Sequence, residues 1–168
     1  LAGSQHSVGR RLAHEQDPGV RAELIGSRPT PHAMRTVEHT IHTGRRRGVF
    51  DITRECAEFV TGEGDGLLNV FVPHATAGLI VMETGSGSDD DLVDVLDRLL
   101  PRDERAYRHR HGSPGHGADH LVSTVASPSL TVPVVGGRLA LGTWQSICLL
   151  DPNADNASRS VRLSFLAG

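Results

Sequence analysis

No lysine occurs anywhere in these 168 residues, and all seventeen basic side chains are arginine. That absence excludes a lysine Schiff base, a lysine general base and a phosphate loop of the G-x-x-x-x-G-K type. Phosphate recognition falls instead to arginine, backbone amides or a metal. Cysteine is nearly absent: Cys56 and Cys148 lie far apart in apolar surroundings without metal-ligand or C-x-x-C spacing. They read as two buried, reduced thiols of a cytoplasmic protein. No apolar run approaches the ~20 residues of a membrane-spanning helix, so a soluble chain with no membrane partner is expected. An excess of positive charge is missing too. The net charge is −3 with histidine neutral, which argues against a nucleic-acid partner. Histidine is what the chain has in quantity: protonating all ten would carry the charge from −3 to +7, so mild acid would invert the surface potential.

Residues 1–33 carry arginines, three histidines and prolines without apolar periodicity. They read as a disordered N-terminal extension or leader, with Met34 a natural start. From there a single domain over 34–168 is expected. Arg35–Thr43 alternates, with Val37, His39 and Ile41 on one face, as a half-buried strand does. A basic turn at 45–48 precedes a helix that Asp51 can cap and that buries Ile52, Cys56, Phe59 and Val60. Leu67–Val72 and Gly78–Met82 read as short buried strands. The clearest helix begins near Ser88, with Asp89, Asp90 and Asp91 at its positive end and Leu92, Val95, Leu96 and Leu99 as its stripe, and it stops before Pro101. YRHRHGSPGHGADH (107–120) reads as a histidine loop followed by a short helix with Leu121, Val122 and Val125. A strand near 131–135, a Gly136-Gly137 hairpin, one long strand over 138–150, a loop at 151–158 and a last strand at 161–166 complete an α+β pattern with two or three helices.

Several residues can carry chemistry. His74 ends an apolar strand, where an imidazole can bind a metal or shuttle a proton with Thr76 orienting it; the structural alternative is a half-buried ring bonded to the backbone. Glu83 ends the next strand and is expected to emerge at the same sheet edge, as base, orienter or Mg²⁺ ligand, or as a solvated charge. Asp89–Asp91 are explained by helix capping. The densest cluster is His109, His111, His116 and His120; H-x-H spacing alone is weak evidence for zinc. Arg108 and Arg110 flank it and can bind phosphate. Trp144 and Gln145, read as neighbours on a central strand, point to opposite faces. Arg159 follows a loop and can reach a phosphate, or be a surface arginine.

Four segments together resemble the YjbQ family, described as secondary thiamine-phosphate synthase enzymes: HATAGLIVMET (74–84), YRH (107–109), DHLVS (119–123) and VPVVGGRLALGTWQSI (132–147). The resemblance implies an antiparallel jelly-roll-like β-sandwich assembled as a homotrimer. It also implies an activity joining hydroxymethylpyrimidine diphosphate to a thiazole phosphate with release of pyrophosphate. It places His74, Glu83, His109, His120 and Gln145 as catalytic candidates. Thr76, Arg108, Trp144 and Arg159 become contacts to a phosphorylated metabolite, and His74, His109 and His120 metal ligands. His111 and His116 do not match family positions and read as solvent-exposed. A divalent metal, Mg or Zn, is expected and no organic cofactor. Ala75 and Thr84 depart from the family pattern, where a hydroxyl residue and an asparagine are usual. A metal-dependent hydrolase using the same histidines and a non-catalytic metabolite-binding trimer are the alternatives.

Overall fold

The computed structural model describes residues 34–168; the expectation for 1–33 lies outside the described residues. Among the described residues, eight strands form two antiparallel sheets. The five-stranded sheet runs β1 (Arg35–His42), β8 (Ser158–Ala167), β3 (Gly66–Phe71), β5 (Ser129–Val135), β6 (Arg138–Leu139), in that spatial order. The three-stranded sheet runs β2 (Gly48–Asp51), β7 (Ser146–Asp151), β4 (Gly78–Met82).

Alternation decides the faces. On β8, Arg159, Val161, Leu163 and Phe165 are buried, while Arg162 and Leu166 face outward. Val37, His39 and Ile41 of β1 pair with Leu163, Val161 and Arg159, so the inner face predicted for β1 holds. Leu68, Val70, Val132, Val134, Val161, Leu163 and Phe165 from the large sheet meet Leu79, Ile147 and Leu149 from the small one. The product is the expected α+β sandwich. Helix α1 (Thr53–Val60) closes this core with Cys56, Phe59 and Val60. The expected cap at Asp51 is corrected: the N-cap is Ile52, whose carbonyl accepts from the Cys56 amide and which makes no side-chain cap, while Asp51 ends β2 one residue earlier and accepts from the Thr53 amide (2.8 Å).

Strand β7 is buried on both faces. Its Leu150 turns away from the main core into a second cluster with Leu96 of α2 (Ser88–Leu99), Val122 and Ala126. Only part of the predicted α2 stripe is covered: Leu96 is buried, while Val95 is 39% and Leu99 62% exposed. Ser88 lies inside the helix, and its hydroxyl donates to the carbonyls of Glu83 and Gly85.

Two further readings are corrected. The long strand expected over 138–150 is broken: β6 ends at Leu139, and Trp144 and Gln145 sit in a turn before β7 rather than on a strand. The histidine loop is shorter than expected, because a single helical turn, α3 (His116–Asp119), already begins at His116. No helix among the described residues is long and apolar enough to cross a membrane.

Candidate functional site

The register of β7 separates the predicted site residues into two groups. Gly78 pairs with Leu150, and Met82 pairs with Ser146. His74, which precedes β4, therefore lies toward the Asp151 end of β7, and Glu83, which follows β4, lies at the Ser146 end. Six extended residues span about 17 Å. Glu83 thus does not share a sheet edge with His74. It is exposed, beside Thr84, whose hydroxyl lies 3.4 Å from that of Ser146. Gln145 and Trp144 belong to this end too. The Gln145 Oε1 accepts from the Gly142 amide (2.8 Å), and the Trp144 side chain is 72% exposed.

At the other end, His74 is tied to the backbone: its Nε2 accepts from the Ser160 amide at 2.9 Å. Thr76 is buried but makes no hydrogen bond to the ring. Burial, and then the Arg159 guanidinium, lower the His74 pKa against the opposite pull of Asp151 and Glu38. Arg159 is not a surface arginine. It is 2% exposed, and its Nε and Nη2 donate to the two Asp151 carboxylate oxygens at 2.8 and 2.7 Å. It is a structural cation, already engaged.

The chemistry collects at His109, His111, His116 and His120, one donor atom of each lying within 4.8 Å of the others. The rings form a puckered quadrilateral. Neighbouring centroids are 4.0 Å (His109–His111), 4.8 Å (His111–His116), 4.7 Å (His116–His120) and 4.3 Å (His120–His109), with diagonals of 5.6 and 6.1 Å. His109 and His111 are exposed, His116 and His120 half-buried. They line or adjoin a cleft of about 180 Å³ bordered also by Glu104, Arg110 and Ser113. Arg108 is exposed beside it, and the Arg110 Nε donates to the Tyr107 carbonyl at 3.3 Å.

Glycine lets this segment fold back on itself. A Cβ on Gly117 would fall 2.8 Å from the Tyr107 Cβ and 2.9 Å from the His109 carbonyl oxygen, so only glycine admits α3 so close to the 107–109 segment. Gly112 has φ +83°, and a Cβ there would meet the His116 ring at 2.6 Å. These two positions bring H-x-H and H-x-x-x-H together although they belong to different local structures.

Behind the histidines lies a polar network built on Asn153, which is fully buried. Its side-chain amide donates to Asp119 (2.9 Å) and Asp155 (3.1 Å), and its Oδ1 accepts from the Asp155 backbone amide (3.0 Å) and from Arg159 (3.3 Å). Asp119, also fully buried, takes a further bond from Arg102 at 2.5 Å. Asp155 lies 2.8 Å from His116 Nδ1, and His116 Nε2 lies 2.9 Å from His120 Nε2. Partial desolvation, and then the neighbouring rings, push the His109 and His120 pKa values down, which favours neutral, ligating imidazoles. Asn153 and Asp155 escape sequence reasoning, although D-P-N-A-D carries a signal: each Asx accepts from the backbone two residues on, as tandem Asx turns do.

Among the described residues, the structure brings together His109 and His120 of the predicted ligands, adds His111 and His116, and leaves His74 outside the group. His111 is solvent-exposed as expected and still belongs to it; His116, with a side chain 13% exposed, is not the free surface ring that was expected.

Known proteins place the chain. A UPF0047 protein of Mycobacterium bovis is 62% identical over 128 residues, covering 76% of this chain and 98% of that protein. A UPF0047 protein of Archaeoglobus fulgidus is 34% identical over 125 residues, covering 74% and 97%. The crystal structure of a hypothetical protein from Aeropyrum pernix superposes with a TM-score of 0.73 at 34% identity, covering 80% of this chain and 99% of that one. The profile of the UPF0047 protein YjbQ-like family matches residues 37–168, and the chain belongs to that family.

Proposed function

We propose that this domain is a metal-dependent hydrolase of small molecules, whose clustered histidines hold a divalent cation of the zinc type at the floor of an open cleft. The observation that carries this reading is the convergence of four imidazole nitrogens within 4.8 Å beside a cleft of about 180 Å³. Tetrahedral zinc with ligands at 2.0–2.1 Å requires nitrogens about 3.4 Å apart. His116, His120 and one imidazole of the exposed pair would hold the ion, the 2.9 Å between His116 and His120 opening slightly, and the fourth position would stay open to water as a catalytic site requires. The donor set suits zinc and its first-row neighbours, whereas Mg²⁺ selects oxygen ligands and retains water. An ion bound there supplies Lewis-acid polarisation and water activation. The chain's own groups supply the rest: the ring of the exposed His109–His111 pair that does not hold the ion would carry protons in and out, and Arg110 and Glu104 border the space a substrate would fill.

The transferase reading, in which pyrophosphate departs from a pyrimidinylmethyl group, needs cations for the leaving diphosphate. Arg108 and Arg110 remain available to it. Arg159 is committed to Asp151, and a four-imidazole site is a poor holder of Mg²⁺. These two points favour hydrolysis.

The test is elemental analysis of the full chain purified without chelator, beside His120→Ala, followed by a panel of aryl esters and phosphoesters. Close to one zinc-type ion per chain, lost in the variant together with turnover of at least one panel member, is the expected result. No retained ion in the wild type overturns the metal centre. A retained ion with no turnover leaves a binding protein and overturns the hydrolase.

A further inference from the structure

We propose that Asp155 is the positioning residue of this centre: its carboxylate fixes His116 as the Nδ1–H tautomer, so that Nε2 is the lone-pair donor offered to the cation. The proposal rests on the metal-centre reading for what Nε2 meets. Asp155 lies on the far side of the ring, its Oδ2 2.8 Å from Nδ1, and is outside the group of converging donors. It therefore acts through His116 and is not itself a ligand.

The carboxylate is held from several sides. The Asn153 amide donates to the same Oδ2 (3.1 Å), and the Asp155 backbone amide returns a bond to Asn153 Oδ1 (3.0 Å). Asn153 is itself clamped between buried Asp119 and the buried Arg159–Asp151 pair. Asp155 Oδ2 thus faces His116 Nδ1 at 2.8 Å while the Asn153 amide donates to the same oxygen, so the carboxylate is fixed on the accepting side of the contact. Two groups face His116 Nδ1, the Asp155 carboxylate at 2.8 Å and the Asn153 amide nitrogen at 3.3 Å; the shorter contact is to the acceptor, which assigns the proton to Nδ1 and leaves Nε2 to accept from His120 Nε2 at 2.9 Å. A carboxylate behind a ligating imidazole fixes its orientation and raises its basicity, and losing such a partner costs about 10–100-fold in metal affinity. Among the described residues, neither His109 nor His111 has a side-chain hydrogen bond to a carboxylate, so His116 is the ring this network singles out.

The experiment uses the full chain with ¹⁵N-labelled histidine, metal-free at pH 8, as wild type, Asp155→Asn and Asp155→Ala. Long-range ¹H–¹⁵N correlation reads the His116 tautomer, and competition against a chromophoric chelator reads the zinc Kd. Wild type is expected to show Nδ1–H. Asp155→Ala is expected to show mixed tautomers and a zinc Kd about 10–100-fold weaker, Asp155→Asn an intermediate loss, and all three similar metal-free melting points. An Nε2–H wild type, or an Asp155→Ala variant within twofold of wild type for zinc, overturns the proposal. Zinc affinity lost only in step with the melting point in both variants also overturns it, making Asp155 structural. A wild type without zinc affinity overturns the metal centre instead. The tautomer comparison then decides Asp155 by itself, an unchanged ratio in Asp155→Ala overturning its role.

Discussion

Replacing Arg159 with methionine separates a structural cation from a phosphate-binding one. Its side chain is 1% exposed and that of Asp151 0%, and the two share a bidentate pair with a third bond from Arg159 to Asn153. Removing one member leaves a buried carboxylate without its counter-charge, at a cost of about 3–5 kcal/mol. For a domain of this size each kcal/mol moves the midpoint by about 3–4 °C, so Arg159→Met should melt about 10–20 °C below wild type. Asp151→Leu combined with Arg159→Met should recover much of that loss, because replacing both partners with apolar groups spares the desolvation of either charge. The assay is calorimetric or circular-dichroism melting of the full chain, with and without inorganic pyrophosphate. A midpoint within 3 °C of wild type, with pyrophosphate stabilisation abolished, would refute the argument and return Arg159 to the substrate.

His74 carries a pH prediction. Its folded pKa lies below its ordinary value because of burial and the Arg159 charge, so the unfolded chain binds the proton more readily. The stability it contributes is complete above about pH 6.5 and is lost as the pH falls through the lowered folded value; protonated Nε2 would also face the Ser160 N–H donor. The melting point of wild type should fall more between pH 7.5 and 5 than that of His74→Gln, and parallel curves would refute the assignment. The separation of the two ends of β7 predicts that Glu83→Gln and Gln145→Ala leave the zinc Kd of an isolated chain within twofold of wild type. A tenfold loss in either would mean that this end of β7 reaches the histidines and would refute the separation.

Much of the architecture is local and therefore legible. The alternation of Arg35–His42, the apolar runs of β3 and β4 and the aspartates at the start of α2 are read correctly because each sits in its own few residues. The long strand at 138–150 fails for a physical reason: apolar Leu139 and Leu141 continue the pattern, but Gly142 and the Gln145 side chain close a turn that strand periodicity does not register. The α2 stripe is legible as a helix yet overstates burial, because the helix packs through Leu92, Leu96 and Leu100, which leaves Val95 and Leu99 beside the covered face.

The candidate site divides the same way. By itself, the sequence determined that phosphate recognition here rests on arginine, backbone amides or a metal and not on lysine, and that four histidines crowd one short segment. Tertiary structure decided which groups meet. Antiparallel pairing of β4 with β7 sends Glu83 and His74 to opposite ends of a strand, a fact no spacing along the chain encodes. Burial turns Arg159 from a phosphate ligand into the partner of Asp151, since a desolvated guanidinium takes the carboxylate within reach. The return of the 151–158 loop against α3 sets Asn153 and Asp155 behind His116, thirty-seven and thirty-nine residues away in sequence. Residue type fixes what a side chain can do; only the packed chain fixes which proton, charge or lone pair it faces.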